Sequence, residues 1–556
     1  MSTYRGGDRA ARPRRRSRWF LAGGFLAGSL VVGAAGMAGV AAAADRDLAP
    51  PSLGRLAAAA QDADNQARPE PSGGARPSGS AQPSGSAQPS GSAQPSGSAQ
   101  PSGSADPSGS AQPGGGAEPG GGAEPGGGSV GAPPARPETP GTGKRAAVSV
   151  PCDAAKLVAA LVAANAEGGG ELRLAPKCRY TLTEAFHETD QYDGGIRDAR
   201  EAADAAETPG DADAPPHNPA DDTAGLPVIY QPITIDGAGA TIARDAQAAA
   251  FRFFTVRDGG ELTLRDLELH NGRSAIEGGS VHVVHGATAV IERVTVTQST
   301  SLSPEGGGGG IFNDGNMMVT DSTFIGNSAS GAAGKGGGLL NGGVLTLKRS
   351  EFHHNSANGY GGGLGNYRGA ADVESTTFTR NSAGQGGGLA SFSARTKVYD
   401  TELLNNTAQV GGGAANSDAV LVMRKMTIRG NTSTVNGGGI STVQGLLPLD
   451  DSVVDGNTTH GIGAGIFTDK SNLLVRGSTV SGNEAVGATS KGGGIYATKG
   501  SAAIYTSKVI RNAATVKPGG IFGEHAQVKI DDESEVVENE GTNCEASAVP
   551  IAHCFR

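Results

Sequence analysis

The sequence predicts an all-β solenoid, a tube of short strands stacked coil upon coil. Three observations carry this. A unit of about 26 residues recurs from Gly306 to Asn539, and repeats of that length mark solenoids. Each unit opens on a glycine cluster followed by a small aliphatic residue: Ile311, Leu339, Leu364, Leu389, Ala414, Ile440, Ile466, Ile495 and Ile521. Each closes on an asparagine: Asn327, Asn355, Asn381, Asn406, Asn431, Asn457, Asn483, Asn512 and Asn539. Inside a unit apolar residues alternate, as in Val344-Leu345-Thr346-Leu347, which is the period of a strand and not of a helix.

Counting back from the closing asparagine sorts the unit into columns. Three residues before it every position is apolar, from Phe324, Phe352 and Phe378 to Val536. Five before it stands a Ser or Thr, except at Met426. Eight before it stand Val319, Leu347, Val373, Val398, Met423, Leu449, Val475 and Ile504, and Asp531 breaks this column in the last unit, as a slipped register or terminal coil would. Stacked about 4.8 Å apart, the apolar columns form a core and the asparagines form a ladder, each amide bonding to the next. Asparagine also tolerates the left-handed backbone of a sharp turn. Roughly a dozen coils between Val148 and Asn539 make a tube about 55–60 Å long at that spacing.

The units GGGLLNGGVLTLKRSEFHHNSA and GGGLGNYRGAADVESTTFTRNSA resemble the repeats of polymorphic outer-membrane and adhesin-type proteins. The chain from about Val148 onward resembles secreted right-handed parallel β-helix proteins of the pectin-lyase-like class, of actinobacterial type. The resemblance implies a right-handed parallel β-helix. It is specific for the fold and does not fix an activity.

The remaining segments follow in order. Residues 1–44 carry seven arginines, then an uncharged stretch from Trp19 to Ala44 ending in Ala42-Ala43-Ala44. This is the pattern of a cleaved signal peptide, and the uncharged stretch is also long enough to serve as an uncleaved membrane anchor. Residues 45–147 are rich in Pro, Gly, Ser and Ala, with PSGSAQ repeats, and read as a disordered linker or stalk. The β-helix domain spans 148–556. It opens with a helix N-capped by Asp153 and running through Leu157, Val158, Leu161 and Val162, a cover for the first coil. Residues 183–225 are acidic and off-pattern, a loop insertion between early coils. Cys152 and Cys178 bracket the first unit, and Cys544 and Cys554 bracket the tail at 541–556. In an exported chain the expectation is one disulfide at each end.

Catalytic sets are sought without success. The adjacent acids Asp450-Asp451 and Asp531-Asp532 sit on turns or on opposite faces, and His353-His354 lacks a third ligand nearby. The expectation is no metal and no cofactor. A net charge of −10 argues against a nucleic-acid partner. Phe467, Tyr496 and Phe522 follow the first apolar residue of three consecutive coils. They are expected to form an outward aromatic column that contacts carbohydrate or a partner, with cover for the tube's flank as the bland reading. The leading expectation is a secreted or cell-surface, monomeric, non-enzymatic module that binds polysaccharide or cell-envelope glycan, or serves as a structural or adhesive rod. The competing one is a lyase or hydrolase of acidic polysaccharide.

Overall fold

A computed structural model describes residues 146–186, 223–546 and 550–554. The expected export segment and nearly all of the linker lie outside these residues. Of the acidic insertion 183–225, residues 187–222 also lie outside; among its described residues the Phe186 N–H donates to the Ala224 carbonyl at 2.8 Å.

The chain winds as an all-β parallel solenoid of about 14 turns. One coil illustrates all. Ile311–Asn313, Asn316–Thr320, Thr323–Ile325 and Ser328–Ala329 are its four strands. The first adds to a 12-stranded sheet, the second and third to a 24-stranded sheet, and the fourth to a 10-stranded sheet. Every inter-coil pairing is parallel and nearly every one is in register, as in Phe324↔Phe352 and Phe352↔Phe378. The phenylalanines stack face to face inside the tube, ring centres 4.3 and 4.9 Å apart. The column continues as Leu403, Ile428, Val454, Val480, Val509 and Val536, all fully buried.

The asparagine ladder is present. Each of these buried amides donates its Nδ2 to the Oδ1 of the next, from Asn327 through Asn539, at 2.9–3.0 Å. Asn543 closes the series by accepting from Asn539 at 3.0 Å. The reason for asparagine differs from the expected one. The left-handed backbone belongs to the residue before it: Gly326, His354, Arg380, Asn405, Gly430, Gly456, Gly482, Arg511 and Glu538. Asparagine is required because the inside of this turn is dry and needs one group that both donates and accepts. The hydroxyl column works alongside it. Ser350, Ser452, Ser478, Ser507 and Ser534 each accept the backbone N–H of the matching residue one coil earlier.

The break at Asp531 is a one-residue slip. Ile530 pairs with Ile504 and fills the apolar column in its place. Helix α1 (Ala154–Ala166) covers the first coil, with the Asp153 carboxylate accepting from the Lys156 N–H at 3.0 Å and Leu157 and Leu161 fully buried. Disulfides join Cys152 to Cys178 and Cys544 to Cys554. The tail also contributes a strand, Cys544–Ala546, paired with Ile521–Gly523. No helix among the described residues is long and apolar enough to cross a membrane.

Candidate functional site

Phe467, Tyr496 and Phe522 do form a column, on strands whose alternate residues Ile466, Ile495 and Ile521 enter the main core. The column faces away from that core, yet it is not exposed, which corrects the expected outward presentation. The three rings are only 6–7% accessible and form a separate apolar cluster packed by Val443 and Ile462. Burial raises the Tyr496 hydroxyl above the usual phenol range, helped by the hydrogen bond it donates to Glu524 at 2.9 Å.

The half-exposed aromatics gather three to five coils before Phe467. Tyr360 closes the strand Ser356–Tyr360, Tyr367 closes Leu364–Tyr367, and Phe392 closes Leu389–Phe392. Parallel stacking lays Tyr367 on Phe392 at 5.2 Å, and Tyr360 crosses to the same ring at 5.3 Å. Two cations attend this cluster. Lys335 Nζ and the Arg368 guanidinium each lie 5.1 Å from the Tyr367 ring centre. Lys335 stands just before the glycine cluster Gly336-Gly337-Gly338, and its amine also donates to the Glu305 carbonyl. Burial holds the Lys335 amine below the ordinary lysine range, with Glu305 and Glu277 pulling the other way. Burial likewise raises the Tyr360 hydroxyl.

Acidic groups lie within the same field. The Asp314 carboxyl is pushed above the usual range by burial and by Glu277, against the pull of His285. In the sequence Asp314 stands in the turn-like run Asn313-Asp314-Gly315-Asn316. Only the fold brings Glu277 within electrostatic range of both Asp314 and Lys335, residues 21 positions apart in the chain. The flank therefore presents aromatic rings, two cations and a buried-leaning carboxyl. Such a surface suits an extended anionic ligand with apolar ring faces.

The other sequence candidates dissolve into structural contacts. Asp450 takes both nitrogens of Arg476 at 2.7 Å, and Asp451 takes Arg424 at 3.1 Å. Asp531 accepts the Thr506 N–H, and Asp532 meets His553 at 2.9 Å. His353 and His354 sit edge to face at 5.7 Å. Among the described residues no three His, Cys, Asp or Glu converge as a metal site would need. Two recesses open along the bend between the second and third strands. One of about 480 Å³ is lined by Asp266, Glu268, Arg293 and Thr295, with Arg293 locked to Asp266. The other, of about 210 Å³, is lined by residues from Ser375 to Thr427.

A second ladder escaped the sequence reading. Asn313 donates to Asn341 at 2.7 Å, Asn341 to Asn366 at 2.8 Å, and Asn366 to the Thr396 hydroxyl at 2.8 Å. Its signal, an asparagine two residues after the first aliphatic residue of a coil, lasts only three coils before Ser391 interrupts it.

No protein-family model matches the chain, and a search of curated proteins finds no relative. Among solved structures the chain is similar to the A-module of mannuronan C-5 epimerase AlgE4 from Azotobacter vinelandii. The match has 14% identity over 71% of this chain and 95% of that one, with a TM-score of 0.34. It is also similar to tailspike protein 3 of bacteriophage CBA120, with 13% identity over 71% of this chain and 59% of that one, and a TM-score of 0.29. Neither likeness is close enough to speak to chemistry.

Proposed function

We propose that this protein is an extracellular β-helix module that holds an anionic polysaccharide against the flank formed by Lys335, Tyr360, Tyr367, Arg368 and Phe392. The observation that carries the reading is the Tyr367 ring, stacked on Phe392 and flanked by two cations at 5.1 Å. Sugar rings stack on aromatic faces through their apolar C–H surface, and carboxylates or sulfates pair with Lys and Arg. The two disulfides fit an oxidising, extracellular setting. The solenoid contributes rigidity, because every rung is bonded to the next, so the flank is presented without an ordering cost at binding.

A second reading, cleavage of the same polymer, is favoured by one observation. Asp314 and Lys335 are each shifted toward their neutral form by burial, within range of Glu277, which is the direction a general acid and base require. The test incubates the full chain with calcium and a panel of acidic polysaccharides. It measures retention on each immobilised polymer together with new reducing ends and unsaturated uronates. Retention lost in Tyr367→Ala, with no new ends, supports the binding reading. New ends that vanish in Asp314→Asn would replace it with the enzymatic one, and absence of both would overturn both.

A further inference from the structure

Along the bend between the second and third strands, charged side chains are tied off coil by coil. Arg293 pairs with Asp266, Arg349 with Asp321 and Arg424 with Asp451. At the bend residues Ser375, Asp400 and Lys425 that pairing lapses. Asp400 accepts only the Ser375 hydroxyl, at 3.2 Å. Among the described residues Glu402 and Lys425 form no ion pair. Yet Asp400, Glu402 and Lys425 line one recess of about 210 Å³ together with Ser375, Thr377 and Thr427. The strand register sets Thr377, Glu402 and Thr427 side by side on three successive coils.

An exposed aromatic residue adjoins this recess in the chain. Tyr399 precedes Asp400 in the chain and is 37% exposed. Its position on the coil is that of Arg424 one coil later, and Arg424 reaches the left-handed residue of the following coil, Asp451, at 3.1 Å. The matching left-handed residue one coil after Tyr399 is Lys425. The Tyr399 carbonyl also accepts the Ser375 N–H at 3.1 Å and the Thr401 hydroxyl at 2.7 Å, which fixes its backbone to the recess wall.

We propose that this recess is a second ligand site, distinct from the Tyr367 flank, that takes one neutral pyranose ring. Two carboxylates held in no ion pair offer acceptors to adjacent sugar hydroxyls, and a carboxylate is an acceptor only. Lys425 and the three hydroxyls donate to the ring oxygen and the remaining hydroxyls. Tyr399 covers the apolar face of the ring. The excess of carboxylates over cations selects a neutral sugar here, whereas the Lys335 and Arg368 pair selects an anionic one, so the two sites divide a heteropolymer between them.

The test is saturation-transfer NMR on the full chain with three probes at millimolar concentration: methyl α-mannopyranoside, methyl β-glucopyranoside and methyl β-galactopyranoside. At least one probe is expected to show transfer. Glu402→Gln and Tyr399→Ala, both surface changes that circular dichroism should find folded, are each expected to cut that transfer at least fivefold. Tyr367→Ala is expected to leave it unchanged. Silence from all three probes overturns the proposal. So does transfer that survives either substitution, or that falls with Tyr367→Ala. The binding of acidic polymers is read separately, so failure here leaves the Tyr367 flank standing, and failure there leaves this site standing.

Discussion

Asn355 donates twice to one atom of Asn381. Its backbone N–H and its side-chain Nδ2 both reach the Asn381 Oδ1 at 3.0 Å, while Asn381 sends its own Nδ2 back to the Phe352 carbonyl at 2.9 Å. With its bond to the Asn406 Oδ1 at 3.0 Å, one buried amide therefore meets four groups that no water reaches. Asn381→Ala would leave two donors and one acceptor unpaired, each costing about 1–3 kcal/mol when buried, with partial relaxation. The expected loss is about 2–5 kcal/mol in urea unfolding, at unchanged β-type circular dichroism in buffer. A loss under about 0.5 kcal/mol, the size of an ordinary surface change, would show that the ladder is incidental.

Gly337 and Gly326 separate two reasons for glycine. A Cβ on Gly337 would lie 2.3 Å from the Ser356 carbonyl oxygen and 2.4 Å from that of Gly362, both backbone of neighbouring strands. A Cβ on Gly326 meets nothing within 4 Å, and only its φ of +62° resists a side chain. Gly326→Ala should cost about 1–2 kcal/mol, the left-handed penalty, and melt cooperatively. Gly337→Ala must push two coils apart, and should fail to give soluble folded protein or lose several times as much. Equal melting temperatures for the two would refute the steric account.

The two disulfides should contribute unequally. Cys152–Cys178 closes 26 residues and Cys544–Cys554 closes 10. Loop entropy then assigns about 3.5 and about 2.7 kcal/mol respectively. Serine pairs at each end, compared by thermal unfolding, should show the larger drop at the N-terminal end, where the bond also anchors α1. A larger drop at the C-terminal end would mean that covering the last coil outweighs loop closure.

Asp314 sets a pH dependence of definite sign. Burial raises its carboxyl in the folded chain, so the folded state favours the protonated form. That contribution is fully present below the unfolded carboxyl range and is lost as pH rises through the folded value. Asp314→Asn keeps the shape and never ionises. The variant should match the parent near pH 3 and melt higher than it near pH 7, with the gap opening as pH rises. A gap of the same size at both pH values would remove burial of the charged form as the cause. A more stable variant that binds or cleaves less would identify Asp314 as a residue kept for function.

Much of the fold was legible because a solenoid writes each contact repeatedly. Phe352 need not be placed against Phe378 by any long-range argument, since both hold the same position in consecutive units and stacking makes equal positions neighbours. The same logic predicted the ladder from Asn327 to Asn539, whereas the cap at Asp153 followed from N-cap preference and the cysteine pairing from the export expectation. It failed where side chains vary along a column. The left-handed residue is Gly326 in one coil, His354 in the next and Arg380 after that, so residue type does not report φ. The short ladder from Asn313 ends after three coils, too few to stand out.

The sequence by itself determined the period, the strand alternation and the inward columns, because these depend only on residues one coil apart. Tertiary structure alone decided what the outer surface offers. Phe467, Tyr496 and Phe522 are covered by Val443 and Ile462, which reach them from neighbouring coils. Tyr360, Tyr367, Phe392 and Lys335 converge from three successive coils. Whether a surface ring is covered or presented depends on the size and direction of side chains on adjacent turns. No repeat encodes that, because the outward positions are free to differ from coil to coil.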